Sequence, residues 1–250
     1  MKLINESVWK FDSVKYGAYM ALFLSCLQLV IQEVYNANIL PEPYQTIASL
    51  GLMFLAVLIG RKKAQPNLNQ NQPLGFVTVT AGHSNVDPGA VSGKFKEAEL
   101  VTNFRSAVAY YLKSSGISIK TDGVGTTNNP LASAIKLIKG SSVAVEFHLN
   151  AAGSSQANGI ETIALPKDKK LAQDLSKAVA AALGSRLRGN EGWIDQSQSA
   201  RGKLGFISNG GLIVELGFIS NEDEISRFNA RYWLAAKAVA DVLIDYEKRN

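Results

Sequence analysis

Two histidines occur in the 250-residue chain, His83 and His148, and each stands where a short apolar run gives way to polar loop residues: FVTVTAGHSNVDPGA and SSVAVEFHLNAAG. Neutral imidazoles at strand ends are suited to share one divalent metal, and zinc is the ion this points to in a hydrolase. A third donor follows from helical spacing in KFKEAELVTNFRSAVAYYL. Glu97 leads the apolar stripe Leu100, Val101, Phe104 and Val108, whereas Glu99 lines up with Thr102, Asn103 and Ser106. Glu97 therefore faces the core and Glu99 faces water. An inward carboxylate is costly unless paired or bound to a metal, and no nearby cation is expected on the same stripe. The alternative is a charge favoured by the helix N-terminus, which would account for either glutamate.

Glu215 interrupts the apolar run GLIVELGF just before its end. A carboxylate there needs a strong partner. Water activated by a metal offers one, with Glu215 taking its proton as hydroxide attacks a carbonyl; a buried ion pair, for instance with Arg201, is the structural alternative. Glu146 lies two residues before His148 and so shares its sheet face, a candidate to brace that histidine or to bind the metal itself. The stretch RGNEGWIDQSQSARGKLGF, 188–206, is long for a connection and reads as a wall of a substrate groove, with Trp193 and Arg201 as candidate contacts.

The elements that must position these residues alternate. Strand patterns occupy 76–81, 117–121, 142–149, 159–165 and 211–218; helical patterns occupy 96–114, 131–139, 168–183 and 222–246. Such alternation predicts a layered α/β domain with a mostly parallel sheet flanked by helices. Sites in that architecture gather at the carboxyl ends of strands, where both histidines fall.

Taken in order, AGHSNVDPGAV, FKEAEL, VEFHLNA and GLIVELGFISNEDE resemble the motifs of the zinc-dependent N-acetylmuramoyl-L-alanine amidases of bacterial autolysins and phage endolysins. The resemblance spans about 75–250 and implies that His83, Glu97 and His148 hold one Zn2+ and that Glu215 is catalytic. It also implies cleavage of the amide between N-acetylmuramic acid and the L-alanine of the stem peptide, with peptidoglycan as substrate. Glu146 departs from the pattern, since many members carry serine there.

The N-terminal part is different in kind. No charged residue occurs in 16–32 or 43–60, each stretch near the lower length for a membrane-crossing helix. They predict a transmembrane hairpin within 1–60, with helices at about 16–33 and 44–60, followed by a basic and polar linker at 61–74 and the catalytic domain at 75–250. A pair of buried helices in a soluble bundle is the alternative. Lys2, Lys10 and Lys15 before the hairpin and Arg61, Lys62 and Lys63 after it place both termini in the cytoplasm. ILPEPYQ and IGRKKAQ resemble the loop and tail of small phage holins, which implies a membrane-tethered phage lysis protein, with membrane lipid as a partner and self-association through the hairpin. Two competing functions follow from the same residues: a holin-like permeabiliser acting through 1–63, and a wall-binding module without turnover.

Charge and cysteine content narrow the field. The formal net charge is +5, but no basic stripe with interleaved aromatics appears, which argues against a nucleic-acid partner. The single cysteine, Cys26, provides no disulfide framework.

Overall fold

A computed structural model describes residues 75–199 and 201–249, together with Glu33. Apart from Glu33, the segments 16–33 and 44–60 and the linker 61–74 lie outside the described residues. Among the described residues, no helix is long and apolar enough to cross a membrane. The chain divides into two units, Met1–Gln72 and Pro73–Asn250, and the elements below belong to the second.

Among the described residues, eight strands and five α-helices follow in the order β1 (Phe76–Ala81), β2 (Val91–Ser92), β3 (Phe95–Lys96), α1 (Glu97–Ser114), β4 (Ile119–Thr121), α2 (Leu131–Ile138), β5 (Ser141–Asn150), β6 (Glu161–Ala164), α3 (Lys169–Leu183), β7 (Trp193–Asp195), α4 (Gly205–Ser208), β8 (Leu212–Phe218) and α5 (Glu222–Glu247). Six strands form one sheet in the order β4-β1-β5-β8-β6-β7. All neighbours are parallel except β6 and β8, which are antiparallel. The mixed α/β architecture with a mostly parallel sheet is the one the alternating pattern predicts.

Strand periodicity sorts the residues between two faces. Val143, Val145, Phe147 and Leu149 of β5 and Leu212, Val214 and Leu216 of β8 enter the larger core, with Val101, Phe104 and Val108 of α1 and buried residues of α3 and α5. Phe104 meets Phe147 edge to face at 4.9 Å, an arrangement the ring quadrupoles favour. On the opposite face Ala144, Ile163 and Ile213 pack with Ala134 and Ile138 of α2 and Phe206 and Ile207 of α4 in a smaller cluster. The alternation puts Glu146, His148 and Glu215 on this second face.

Four elements were not visible in the pattern. The two-residue strands β2 and β3 are too short to show a period, and β7 and α4 lie inside 188–206, read above as loop. The reversal of β6 was also unforeseen, because its short apolar run has no direction of its own.

A buried ion pair departs from the expectation that no cation shares the Glu97 stripe. Arg105, two turns along α1, is 1% exposed, but its guanidinium turns to Asp122 Oδ1 at 2.8 Å and to the carbonyls of Gly125 and Thr127. Asp122 Oδ2 accepts from the Ala81 N–H at 3.2 Å. Burial outweighs the pull of Arg105 and raises the Asp122 pKa, so the pair contributes position more than net stability. It holds 122–128 against the end of β1, where Asn128 donates to the Gly82 carbonyl at 2.8 Å. Arg105→Met removes one partner and strands the other, with an expected cost of about 3–5 kcal/mol in unfolding free energy. Denaturant midpoints check this; a loss below about 1 kcal/mol would remove the pair from the fold's essential contacts.

Candidate active site

The end of β1 turns sharply at Gly82 and His83. His83 adopts φ 66°, a left-handed conformation that costs a non-glycine residue free energy and persists only when its surroundings enforce it. Here the enforcing contacts are Asn128 on the Gly82 carbonyl and Asn85 Oδ1 on the Asn128 N–H at 2.7 Å. Gly82 itself has to be small: a Cβ there would lie 2.2 Å from the His148 ring. Gly89, with φ 66°, combines both demands, since an added Cβ would come within 2.5 Å of the His83 ring and 2.8 Å of Glu97 Oε2.

Helix α1 begins at Glu97 without a capping side chain from Lys96. Its first free N–H groups are satisfied instead by the loop that carries His83. The Glu97 N–H donates to the Ala90 carbonyl at 2.9 Å and the Ala98 N–H to the Pro88 carbonyl at 3.1 Å. In return, Glu97 Oε2 accepts from the Ala90 N–H at 3.0 Å. Loop and helix start are thereby one unit, and the fold aims the Glu97 carboxylate inward as its spacing predicts, with Glu99 exposed.

Glu97 lies between the two imidazoles. Its Oε1 is 2.9 Å from His148 Nδ1 and accepts from the Leu149 N–H at 2.9 Å; its Oε2 is 2.9 Å from His83 Nε2. The last approach lacks the alignment of a hydrogen bond, and His83 Nε2 is buried without a hydrogen-bond partner among the described residues. The ring centroids are 5.1 Å apart. Donor atoms of His83, Glu97 and His148 all lie within 4.8 Å of one another, an arrangement able to hold a metal ion. Two imidazoles and one carboxylate, including an orphaned ring nitrogen aimed at the others, fit zinc.

The remaining ring nitrogens also face carboxylates. His83 Nδ1 is 3.0 Å from Asp87 Oδ2, and His148 Nε2 is 3.2 Å from Glu146 Oε1. Burial disfavours charge on His148, but Glu146, Glu97 and Glu215 outweigh it and push its pKa up to about 10. His83 is raised too: burial opposes the shift, and Glu97 and Asp87 overcome it. Burial would likewise raise Glu97, yet the hydrogen bond from His148 and the close approach of the His83 imidazole hold its carboxyl far below the usual range.

Glu215 sits on β8 directly opposite His148 on β5. It is partly buried as a residue, but its Oε2 is closed to solvent and has no hydrogen-bond partner among the described residues. Burial first, then the charges of Glu97 and Glu161, push its pKa up to about 7 against the opposing pull of His148 and Arg201. The ion pair with Arg201 considered from sequence is not formed. Arg201 is exposed, in the long connection, and acts on Glu215 only through its charge.

His83, Asp87, Glu146, His148 and Glu215 line a cleft of about 770 Å³, together with Val86, Leu131, Arg188, Arg201 and Phe206. Arg201 thus borders the cleft. Trp193 does not line it: its indole donates to the Ala164 carbonyl at 3.3 Å and lies under Lys169, a structural position. Two site residues were missed. Asp87 stands four residues after His83, and its carboxyl is held below the usual range by the His83 hydrogen bond. Glu161 faces Glu215 across the antiparallel pair, bound by Arg188 Nε at 2.5 Å and Asn150 Nδ2 at 3.0 Å. A glutamate interrupting the apolar run GIETIAL was the available signal for it.

Residues 77–245 match the family described as Amidase_3, N-acetylmuramoyl-L-alanine amidase. A crystal structure from Neisseria meningitidis, assigned as an N-acetylmuramoyl-L-alanine amidase, is 42% identical over 68% of this chain and 94% of that one, with a TM-score of 0.64. The catalytic domain of CwlV, an N-acetylmuramoyl-L-alanine amidase from Bacillus (Paenibacillus) polymyxa var. colistinus, is 26% identical over 70% of this chain and 99% of that one, with a TM-score of 0.60. No curated protein sequence matches significantly. The family match covers well over half of the residues and the Neisseria likeness more than two thirds, so the chain belongs to the N-acetylmuramoyl-L-alanine amidase family.

Proposed function

We propose that the protein is a zinc-dependent amidase that cleaves the bond between the lactyl group of N-acetylmuramic acid and the L-alanine of the stem peptide in peptidoglycan. The supporting observation is the convergence of His83, Glu97 and His148 donor atoms within 4.8 Å, on the sheet face that also carries the partnerless Oε2 of Glu215. His83, Glu97 and His148 would hold the ion and leave one coordination position open. Bound there, zinc would supply Lewis-acid polarisation and make water a stronger acid.

The protein's own groups carry out the rest. Glu215 takes the proton of the water that attacks the lactyl carbonyl carbon and returns it to the departing L-alanine nitrogen as the carbon–nitrogen bond breaks. The closed surroundings of its Oε2 keep bulk water from competing for that proton. Gly82 and Gly89 leave the imidazoles room.

The N-terminal segments extend this reading. The charge-free stretches 16–32 and 43–60, flanked by basic residues, support a hairpin in the cytoplasmic membrane with both termini inside. The catalytic domain then waits on the cytoplasmic side and meets peptidoglycan after the membrane fails or the hairpin rearranges, as a phage lysis protein would require.

Mass analysis of peptidoglycan digested by the protein is expected to show intact glycan strands and free peptides beginning with L-alanine. A chelator abolishes their release and added zinc restores it; cleaved glycosidic bonds or chelator-insensitive release would refute the reading. Glu215→Gln is expected to lower turnover by about 10²–10⁴-fold while zinc content stays at the wild-type level. A reporter active only in the periplasm, fused after Lys63, is expected to remain silent before lysis, and strong early activity would rule out the held-inside arrangement. Residues 1–63 expressed alone are expected to leave the membrane potential intact; its collapse would favour the permeabiliser instead.

A further inference from the structure

The two imidazoles of the site present different nitrogens to their common centre. His83 turns Nε2 toward Glu97, and its Nδ1 lies 3.0 Å from Asp87. His148 is the other way round: Nδ1 is 2.9 Å from Glu97 Oε1, and Nε2 is 3.2 Å from Glu146 Oε1. A nitrogen that binds a metal must be bare, so the single proton of a neutral His148 has to sit on Nε2. We propose that Glu146 is the positioning residue that enforces this, accepting the Nε2–H of His148 and so leaving Nδ1 bare toward the metal.

The two supporting carboxylates differ in a way that makes Glu146 the stronger determinant. The Asp87 side chain is 61% exposed and lies in a turn, where water competes for its hydrogen bond. That of Glu146 is 2% exposed. It shares a strand and a sheet face with His148, two residues apart, so the rigid pleat of β5 sets their separation. Its second oxygen faces Thr80 Oγ1 on β1 at 3.4 Å. A carboxylate so deeply buried needs a donor with positive character, and the Nε2–H of a histidine bound to a cation through Nδ1 is one.

This inference rests on the zinc reading, and its test separates the two. The chain has two histidines, so 15N-histidine labelling of the zinc-loaded full chain gives four ring-nitrogen signals. His148 is expected to carry its proton on Nε2. In competition with a chromophoric chelator, Glu146→Leu is expected to bind zinc about 10–100-fold more weakly than wild type. Glu146→Gln, which can still accept the Nε2–H, is expected to recover most of that loss. A His148 proton on Nδ1 overturns the proposal, as does a folded Leu variant that holds zinc as tightly as wild type. If the Leu variant does not fold, the ring-nitrogen assignment in wild type and Gln variant decides alone. Wild-type protein that binds no zinc overturns the metal reading and this one with it; wild-type binding without dependence on Glu146 overturns this one only.

Discussion

The carboxylate of Glu97 is the contact on which the active site depends. It is 1% exposed, accepts from the N–H groups of Ala90 and Leu149, and lies 2.9 Å from a ring nitrogen of each imidazole. Those partners come from two places in the chain: the loop between β1 and β2, and the end of β5. An unpaired carboxylate at such depth would cost several kcal/mol, so the four contacts are obligatory if the helix is to begin where it does. The loop carbonyls that accept the first N–H groups of α1 reinforce the same geometry from the backbone side.

Around that centre the charges are unbalanced. Asp87, Glu97, Glu146, Glu161 and Glu215 surround two imidazoles, and Arg188 is engaged by Glu161 while Arg201 is exposed. The surplus of negative charge suits a cation. It also drives two carboxylates apart: Glu97 is held ionised by its histidines, whereas Glu215, buried and without such donors, is pushed up to about 7. Opposite shifts in neighbouring carboxyls give them separate chemical tasks.

Much of this was legible before folding because the informative residues break a periodic pattern. Glu215 interrupts an apolar strand, Glu97 heads an apolar stripe, and His148 and Glu146 fall on alternate positions of one strand. What stayed hidden depends on partners distant in sequence. Arg105 looks like an ordinary solvated helix residue until Asp122 is brought against it by the adjacency of β1 and β4. Glu161 joins the site only because β6 runs against β8, a choice no local period encodes. Trp193 misled for the converse reason: an aromatic in a polar stretch suggests a binding wall, yet short pairing of β7 with β6 turns it to packing.

The reversal of β6 also separates what can vary from what cannot. Both ends of the connection between β7 and β8 are pinned in the sheet, while its middle, with Arg201, borders the cleft. Lengthening such a span costs little, about 0.6 kcal/mol for each doubling. Insertions there can reshape the opening without disturbing the strands that carry His148 and Glu215, so new ligand preferences are accessible by indels that leave the reactive centre intact.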